Sequence, residues 1–302
     1  MKPGTFDASA TTPHTNWLAS RAALIVAFAA ILLGVIVFYT GARWLAVISV
    51  VVFDGGAAAL WVLAAWTLGR SLWTSRWLGD RAGGPLGFAT ETGLGMGIIG
   101  FGGLALGLAG TLNHWTALAV LLIGPICSLP SIMRAMRRSR DIRIDRWLAT
   151  PAGAHWLLLA AAPALAMMLI AASITPGLLW KPEDPHPYDV LEYHLHVPRE
   201  WYEMGRIAGL HHNVFSYFPF GVEMHYLLAM HVRGGPWAAM YQCQLLSTIW
   251  SLLAAAAVYG AAKHLSSNRA IASAAAVIAS ASPWIAMLGS VSYTETSLAF
   301  YT

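Results

Sequence analysis

Charged residues are scarce in this 302-residue chain. Asp, Glu, Lys and Arg together make up 11% of it, against roughly a quarter in an ordinary soluble domain, and that shortage excludes a conventional water-facing globule. Cysteine is nearly absent as well. Cys127 and Cys243, the only two, both lie within apolar runs, which excludes a disulfide framework and predicts small buried packing residues. No H-E-x-x-H or paired Cys/His spacing occurs, so the familiar zinc signatures are missing. The net charge of +4 does not point to nucleic acid, because the cations gather in loops beside apolar runs, where membrane topology accounts for them.

What the chain does contain is hydrophobic residues, 57% of the total. Seven runs approach the twenty or so residues needed to cross a bilayer: roughly 22–41, 45–68, 92–112, 116–133, 155–174, 240–262 and 270–288. These predict an all-α, polytopic transmembrane bundle of seven spans. An eighth run begins near Thr296 and the sequence stops at Thr302, which predicts the N-terminal portion of a longer protein. Arg134, Arg137, Arg138, Arg140, Arg143 and Arg146 between the fourth and fifth runs mark a cytoplasmic loop by the positive-inside tendency. Alternation then places residues 176–236 outside, with Arg43 in the first outer turn as the short-loop exception. Trp17, Trp44, Trp115, Trp147, Trp180 and Trp237 sit at run ends, as interfacial anchors do. The expected organisation is a cytoplasmic tail over 1–17, a four-span block over 18–150 and a core over 151–302.

Glycine crowds the third run. Gly95, Gly97 and Gly100 satisfy the G-x-G-x-x-G spacing, yet that motif needs a preceding strand and a βαβ unit. In an apolar helix, Gly93/Gly97 and Gly103/Gly107 instead offer small faces for close helix packing.

The polar segment between the fifth and sixth runs holds most of the candidate chemistry. Proline and glycine punctuation predicts short amphipathic helices on the membrane surface, over 189–197, from Pro198 to Gly205 and from Pro219 to Gly234, with a loop over 210–218. On a helix Asp189, Glu192, Tyr193 and His196 share one face. Such a group can act as a general base or hold a divalent cation; Asp189 and Glu192 also have capping-box spacing, and the residues leave both open. Seven of the eleven histidines, His186, His194, His196, His211, His212, His225 and His231, fall here, without the spacing of a dedicated metal site. Arg199 and Arg206 are outer cations suited to an anionic ligand, while Lys181 and Arg233 suit lipid headgroups. Glu295, at the mouth of the eighth run, is placed on the same side as Asp189. Asp54 stands within the second run with no obvious partner in the sequence.

Tyr188-Asp-Val-Leu-Glu-Tyr-His-Leu, Pro198, Gly205-Arg-Ile, Tyr217-Phe-Pro-Phe-Gly-Val-Glu-Met and Ser292-Tyr-Thr-Glu-Thr-Ser-Leu-Ala resemble the N-terminal half of GT-C superfamily membrane glycosyltransferases, a group that includes protein mannosyltransferases and the aminoarabinose and rhizobial lipopolysaccharide transferases. The resemblance covers roughly 155–302. It implies transfer of a sugar, with inversion, from a polyprenyl-phosphate donor to a lipid, glycan or protein acceptor on the outer face of a bacterial-type inner membrane. It implies Asp189, Glu192 and Glu295 as catalytic acids, although the family commonly has Asp where Glu295 stands. Arg206 and Arg199 become the donor-phosphate residues, and a divalent metal, if one takes part, would draw on Asp189, Glu295 and His196. A transporter or flippase is the alternative from another class, with Asp54 as its route marker, and a non-catalytic scaffold is the third reading.

Overall fold

The computed structural model describes residues 19–73, 82–138, 144–177 and 188–302. Among these the chain is helical, and the sole β contact is an isolated bridge between Ser20 and Pro151. The elements are α1 (Arg21–Thr40), α2 (Trp44–Leu72), α3 (Gly84–Leu108), α4 (His114–Arg138), α5 (Ile144–Ala149), a 3-10 stretch (Gly153–Ala161) running into α6 (Ala162–Ala172), a π-helical turn (Val190–His194), α7 (His196–Met204), α8 (Glu223–Arg233), α9 (Pro236–Ser266), α10 (Arg269–Ala281), α11 (Pro283–Leu288) and α12 (Glu295–Tyr301). The expected tail, residues 139–143 of the arginine-rich loop, Trp17, Trp180, Lys181 and His186 lie outside the described residues.

Four helical runs are long and apolar enough to cross a membrane by length and composition: Arg21–Leu72, Gly84–Leu108, Gly153–Ala172 and Pro236–Ser266. That is fewer than the seven expected. The first run holds two of the expected spans, α1 and α2, joined by a 3-10 turn at Gly41, which sits at φ 51. The fourth expected span keeps only His114–Pro130 as apolar helix, and Pro125 and Pro130 lie inside α4. The seventh is cut at Ser282, whose extended backbone divides Arg269–Ala281 from the helix opened by Pro283, because the residue before proline is driven out of helical geometry. The outward faces are strongly apolar, with Phe38 80% and Phe101 74% exposed, which is compatible with a membrane protein.

α2, α3, α4, α8 and α9 share one core, built on Trp61, Met96, Leu121, Leu228 and Trp250. Helices from both 18–150 and 151–302 contribute to this core. Glycine sets the spacing where α2 crosses α3: a Cβ on Gly69 would run into the Glu91 carbonyl, and one on Gly95 into that of Ala65. Gly95 therefore serves close packing in helix, as its context demanded, while Gly103 and Gly107 receive Leu228 and Ile207. Gly93 lies against Phe300 and Tyr301 of α12 and Gly97 faces the Tyr301 hydroxyl at 3.9 Å, so both glycines of that pair face the same helix, Gly93 closely and Gly97 loosely.

Two expectations about side chains are overturned. Cys127 is exposed rather than buried, and only Cys243 is a core residue, since α4 turns Cys127 away from its neighbours. Asp54 is not isolated: Arg233 Nη2 lies 2.8 Å from its Oδ1, an ion pair between α2 and the end of α8 that compensates an otherwise costly buried acid. Arg233 is therefore committed within the chain.

The polar segment also departs from its expected form. α7 ends as predicted, with Gly205 in the left-handed conformation at φ 67. α8, however, begins at Glu223 rather than Pro219, after a turn containing Gly221. It is no surface helix. Every residue from Glu223 to His231 is buried, because α3, α4, α7 and α9 all pack on it. An expected interfacial helix is in fact a central one.

Candidate functional site

The site begins with a local irregularity. The Leu195 N–H bonds to the Val190 carbonyl at 3.0 Å, an i to i+5 closure that inserts a π turn just after Asp189, a feature often found at functional sites. Asp189 has helical backbone angles and makes no side-chain cap, so the capping-box use of its spacing is not realised. The wider turn also breaks the expected shared face. His194 points into the core, and His196 is carried away to Glu200, its Nε2 2.7 Å from Oε1.

Asp189 and Glu295 both act electrostatically on two phenols, Tyr193 and Tyr293. The Asp189 carboxylate lies in hydrogen-bonding reach of the Tyr193 hydroxyl, and its backbone amide faces the Tyr293 hydroxyl. Burial pushes the Tyr193 pKa well above its ordinary value, and the charges of Asp189 and Glu295 push it further. Burial, Asp189 and Glu295 together raise Tyr293 to about 12. Both phenols are therefore donors at neutral pH. Each acid bears on the same pair of phenols, although the two are far apart in the sequence. Glu192 is partly buried in the π turn, and its carbonyl accepts from Asn213 Nδ2 at 2.9 Å. That contact holds the loop over 210–218 against the turn.

Beneath this pair runs a buried polar network that the sequence analysis did not assemble. His194 Nδ1 lies 2.6 Å from Glu223 Oε1, and the His194 ring packs edge-on against Tyr293 at 5.3 Å between centroids. The Tyr293 carbonyl accepts from Tyr226 Oη at 3.2 Å and from Ser247 Oγ at 3.1 Å. α8 and α9 therefore grip the chain two residues before Glu295. Tyr193 stacks on Phe215 with centroids 4.8 Å apart, and this aromatic wall fixes the phenol that faces Asp189. The available signal was Tyr293 itself, in the Ser-Tyr-Thr-Glu string next to Glu295.

The expected cations are not part of this cluster. Arg199 pairs along α7 with Glu203, Nε to Oε1 at 3.7 Å. Arg206 is exposed just past the end of α7, with the Ile207 N–H bonded to the Gly107 carbonyl. The histidines also disperse. His212 joins Glu200 at 3.0 Å, His225 Nδ1 accepts from Trp61 Nε1 at 3.1 Å, and the His231 carbonyl contacts His114 Nδ1. Burial lowers His225 to about 4 and lowers His231 as well, so His225 is neutral at physiological pH. Among the described residues no group of three or more His, Cys, Asp or Glu side chains is arranged to hold a metal ion. Asp189 and Glu295 offer the hard oxygen ligands a divalent cation takes, but with His196 held by Glu200 the three residues do not form a metal cage. Comparison with protein-family models, curated proteins and solved structures finds no match.

Chemically, a half-buried Asp189 and an exposed Glu295 act on two protonated phenols in a partly desolvated setting. A carboxylate that accepts from a fixed tyrosine has a defined orientation. That arrangement suits proton abstraction from a hydroxyl group brought to Asp189.

Proposed function

We propose that the chain is an integral membrane glycosyltransferase that moves a sugar from a polyprenyl-phosphate donor to an acceptor on the non-cytoplasmic face, with inversion. The observation that carries the reading is the convergence of Asp189 and Glu295 on Tyr193 and Tyr293, which unites the two acids that the family resemblance singled out. In this scheme the acceptor oxygen attacks the anomeric carbon as its proton passes to Asp189. The bond from that carbon to the phosphate oxygen breaks, and polyprenyl phosphate leaves with the bonding pair. Tyr193 orients Asp189. Glu295, held by the Tyr293 backbone anchor, positions the sugar or the acceptor through hydrogen bonds. Arg206, exposed and in no ion pair among the described residues, lies outside the acid cluster and is the cation left to meet the donor phosphate, whereas Arg199 is engaged with Glu203.

The transporter alternative relied on Asp54 as an isolated acid within a span, and its pairing with Arg233 removes that support. The test of the transferase reading is sugar transfer by membranes supplied with labelled polyprenyl-phosphate sugars, comparing wild type with Asp189→Asn at equal expression. Transfer lost in the variant supports Asp189 as the base. Full transfer by a correctly folded Asp189→Asn protein overturns that assignment, and no transfer from any donor by the wild type overturns the enzyme.

A further inference from the structure

At the end of α9 remote from Asp189, a groove of about 1520 Å³ opens between α1, α9 and the 3-10 stretch. Lys263 on its rim lies roughly 24 Å from Ser247 at the helical rise of 1.5 Å per residue, so the groove is separate from the acid cluster. Its volume exceeds the roughly 300–1,000 Å³ of pockets for drug-sized ligands, which calls for a larger occupant. The walls are apolar: Leu24, Ile25 and Phe28 from α1, Leu158 from the 3-10 stretch, and Leu252 and Ala256 from α9. The mouth is basic. Arg21, Lys263, His264 and Arg269 all line it, and none of its described lining residues is acidic. Arg21 lies over the Trp147 ring at 4.9 Å, a contact that positions the guanidinium without neutralising it. Lys263 and Arg269 have no ion-pair partner among the described residues.

We infer that this groove binds an anionic phospholipid, with its acyl chains along α1 and α9 and its phosphate at Lys263 and Arg269. Apolar walls alone would accept any lipid. The unpaired cations at one end select a negative headgroup, as basic pockets between membrane helices do. Arg21 closes the mouth from the α1 side, so one headgroup ties the first helix to the end of α9. The inference rests on α1 and α9 being membrane spans, and it is independent of the transferase chemistry at the other end.

The test uses the full chain in mild detergent, with native mass spectrometry of bound dioleoyl phosphatidylglycerol, dioleoyl phosphatidylcholine or inorganic phosphate. Phosphatidylglycerol should be retained in preference to phosphatidylcholine of the same chains, and inorganic phosphate at matched concentration should not displace it. Replacing both cations, Lys263→Gln with Arg269→Gln, should weaken retention about thirtyfold, from roughly 1 kcal/mol for each basic side chain near an anionic headgroup. Ala256→Trp, which fills the groove and leaves the cations in place, should weaken it too, while Arg43→Gln at the far turn should not. Equal retention of the two lipids, an unaffected double variant, or displacement by phosphate overturns the proposal. Extraction of the wild-type chain from membranes by alkaline carbonate overturns the membrane reading as well, which separates the two failures.

Discussion

His194 Nδ1 and Glu223 Oε1 lie 2.6 Å apart with both side chains about 5% exposed, directly below the tyrosine that anchors Glu295. The contact ties the π turn to the central helix α8. Glu223 Oε2 is buried without a hydrogen-bond partner among the described residues, so the pair is the carboxylate's one strong compensation. Loss of the imidazole leaves a buried acceptor unsatisfied. His194→Ala should destabilise the protein by about 1–3 kcal/mol, measured by thermal unfolding in detergent. The double variant His194→Ala with Glu223→Leu should be less unstable than the sum of the two single changes, because it removes both partners. Strict additivity would refute the coupling.

The pair between Asp54 and Arg233 has a built-in asymmetry. The Asp54 side chain is 11% exposed and that of Arg233 is 34% exposed. Arg233→Ala strands a buried acid, whereas Asp54→Ala leaves a guanidinium that reaches water. Arg233→Ala should therefore cost more, on the order of 1–3 kcal/mol for an unsatisfied buried group, and Asp54→Ala less than 1. Unfolding of the two variants side by side gives the answer, and the reverse order would mean that α2 does not enclose Asp54.

Tyr193 and Tyr293 provide a reading in alkali. Both phenols have folded pKa values raised above 10, that of Tyr293 to about 12. The unfolded chain therefore gives up these protons first. The stability they contribute is complete below pH 10 and falls as pH rises through 10 to 12. Ultraviolet titration should show a set of tyrosines that resists ionisation at pH 11, with Tyr193, Tyr226 and Tyr293 among them, smaller by one in Tyr293→Phe, and a shallower alkaline loss of stability in that variant. A full complement of tyrosinate at pH 11 in the folded protein would separate the phenols from the two acids.

Glycine packing predicts opposite outcomes for neighbouring substitutions. Gly69→Ala drives a methyl group into the Glu91 backbone, which has nowhere to retreat, and should cost about 1–3 kcal/mol through overpacking. Gly97→Ala meets only the Tyr301 hydroxyl at 3.9 Å and should be neutral or stabilising by up to about 1 kcal/mol from helix propensity. Thermal unfolding of both variants decides it. Equal effects would mean that the crossing of α2 and α3 is looser than described.

Helix content and apolar character were legible in the sequence, because runs of hydrophobic residues with so few charges leave the backbone to satisfy its own hydrogen bonds. Helix ends at Gly205 and Gly234 were legible for a similar reason, since only a residue without a side chain takes the left-handed cap at no cost. The candidate acids Asp189 and Glu295 stood out as ionisable residues beside apolar runs. Their partners did not. The pairing of Asp54 with Arg233, and of His194 with Glu223, joins segments that no local period relates.

The sequence by itself determined a helical, strongly apolar chain and the residues available for chemistry, because composition and short-range spacing act within a few turns of backbone. Tertiary structure alone decided that α8 lies at the centre instead of on a surface, and that the π turn sends His194 inward and His196 to Glu200. It also decided that two remote acids share Tyr193 and Tyr293. Those outcomes depend on which helices pack together, and packing is a property of the whole chain.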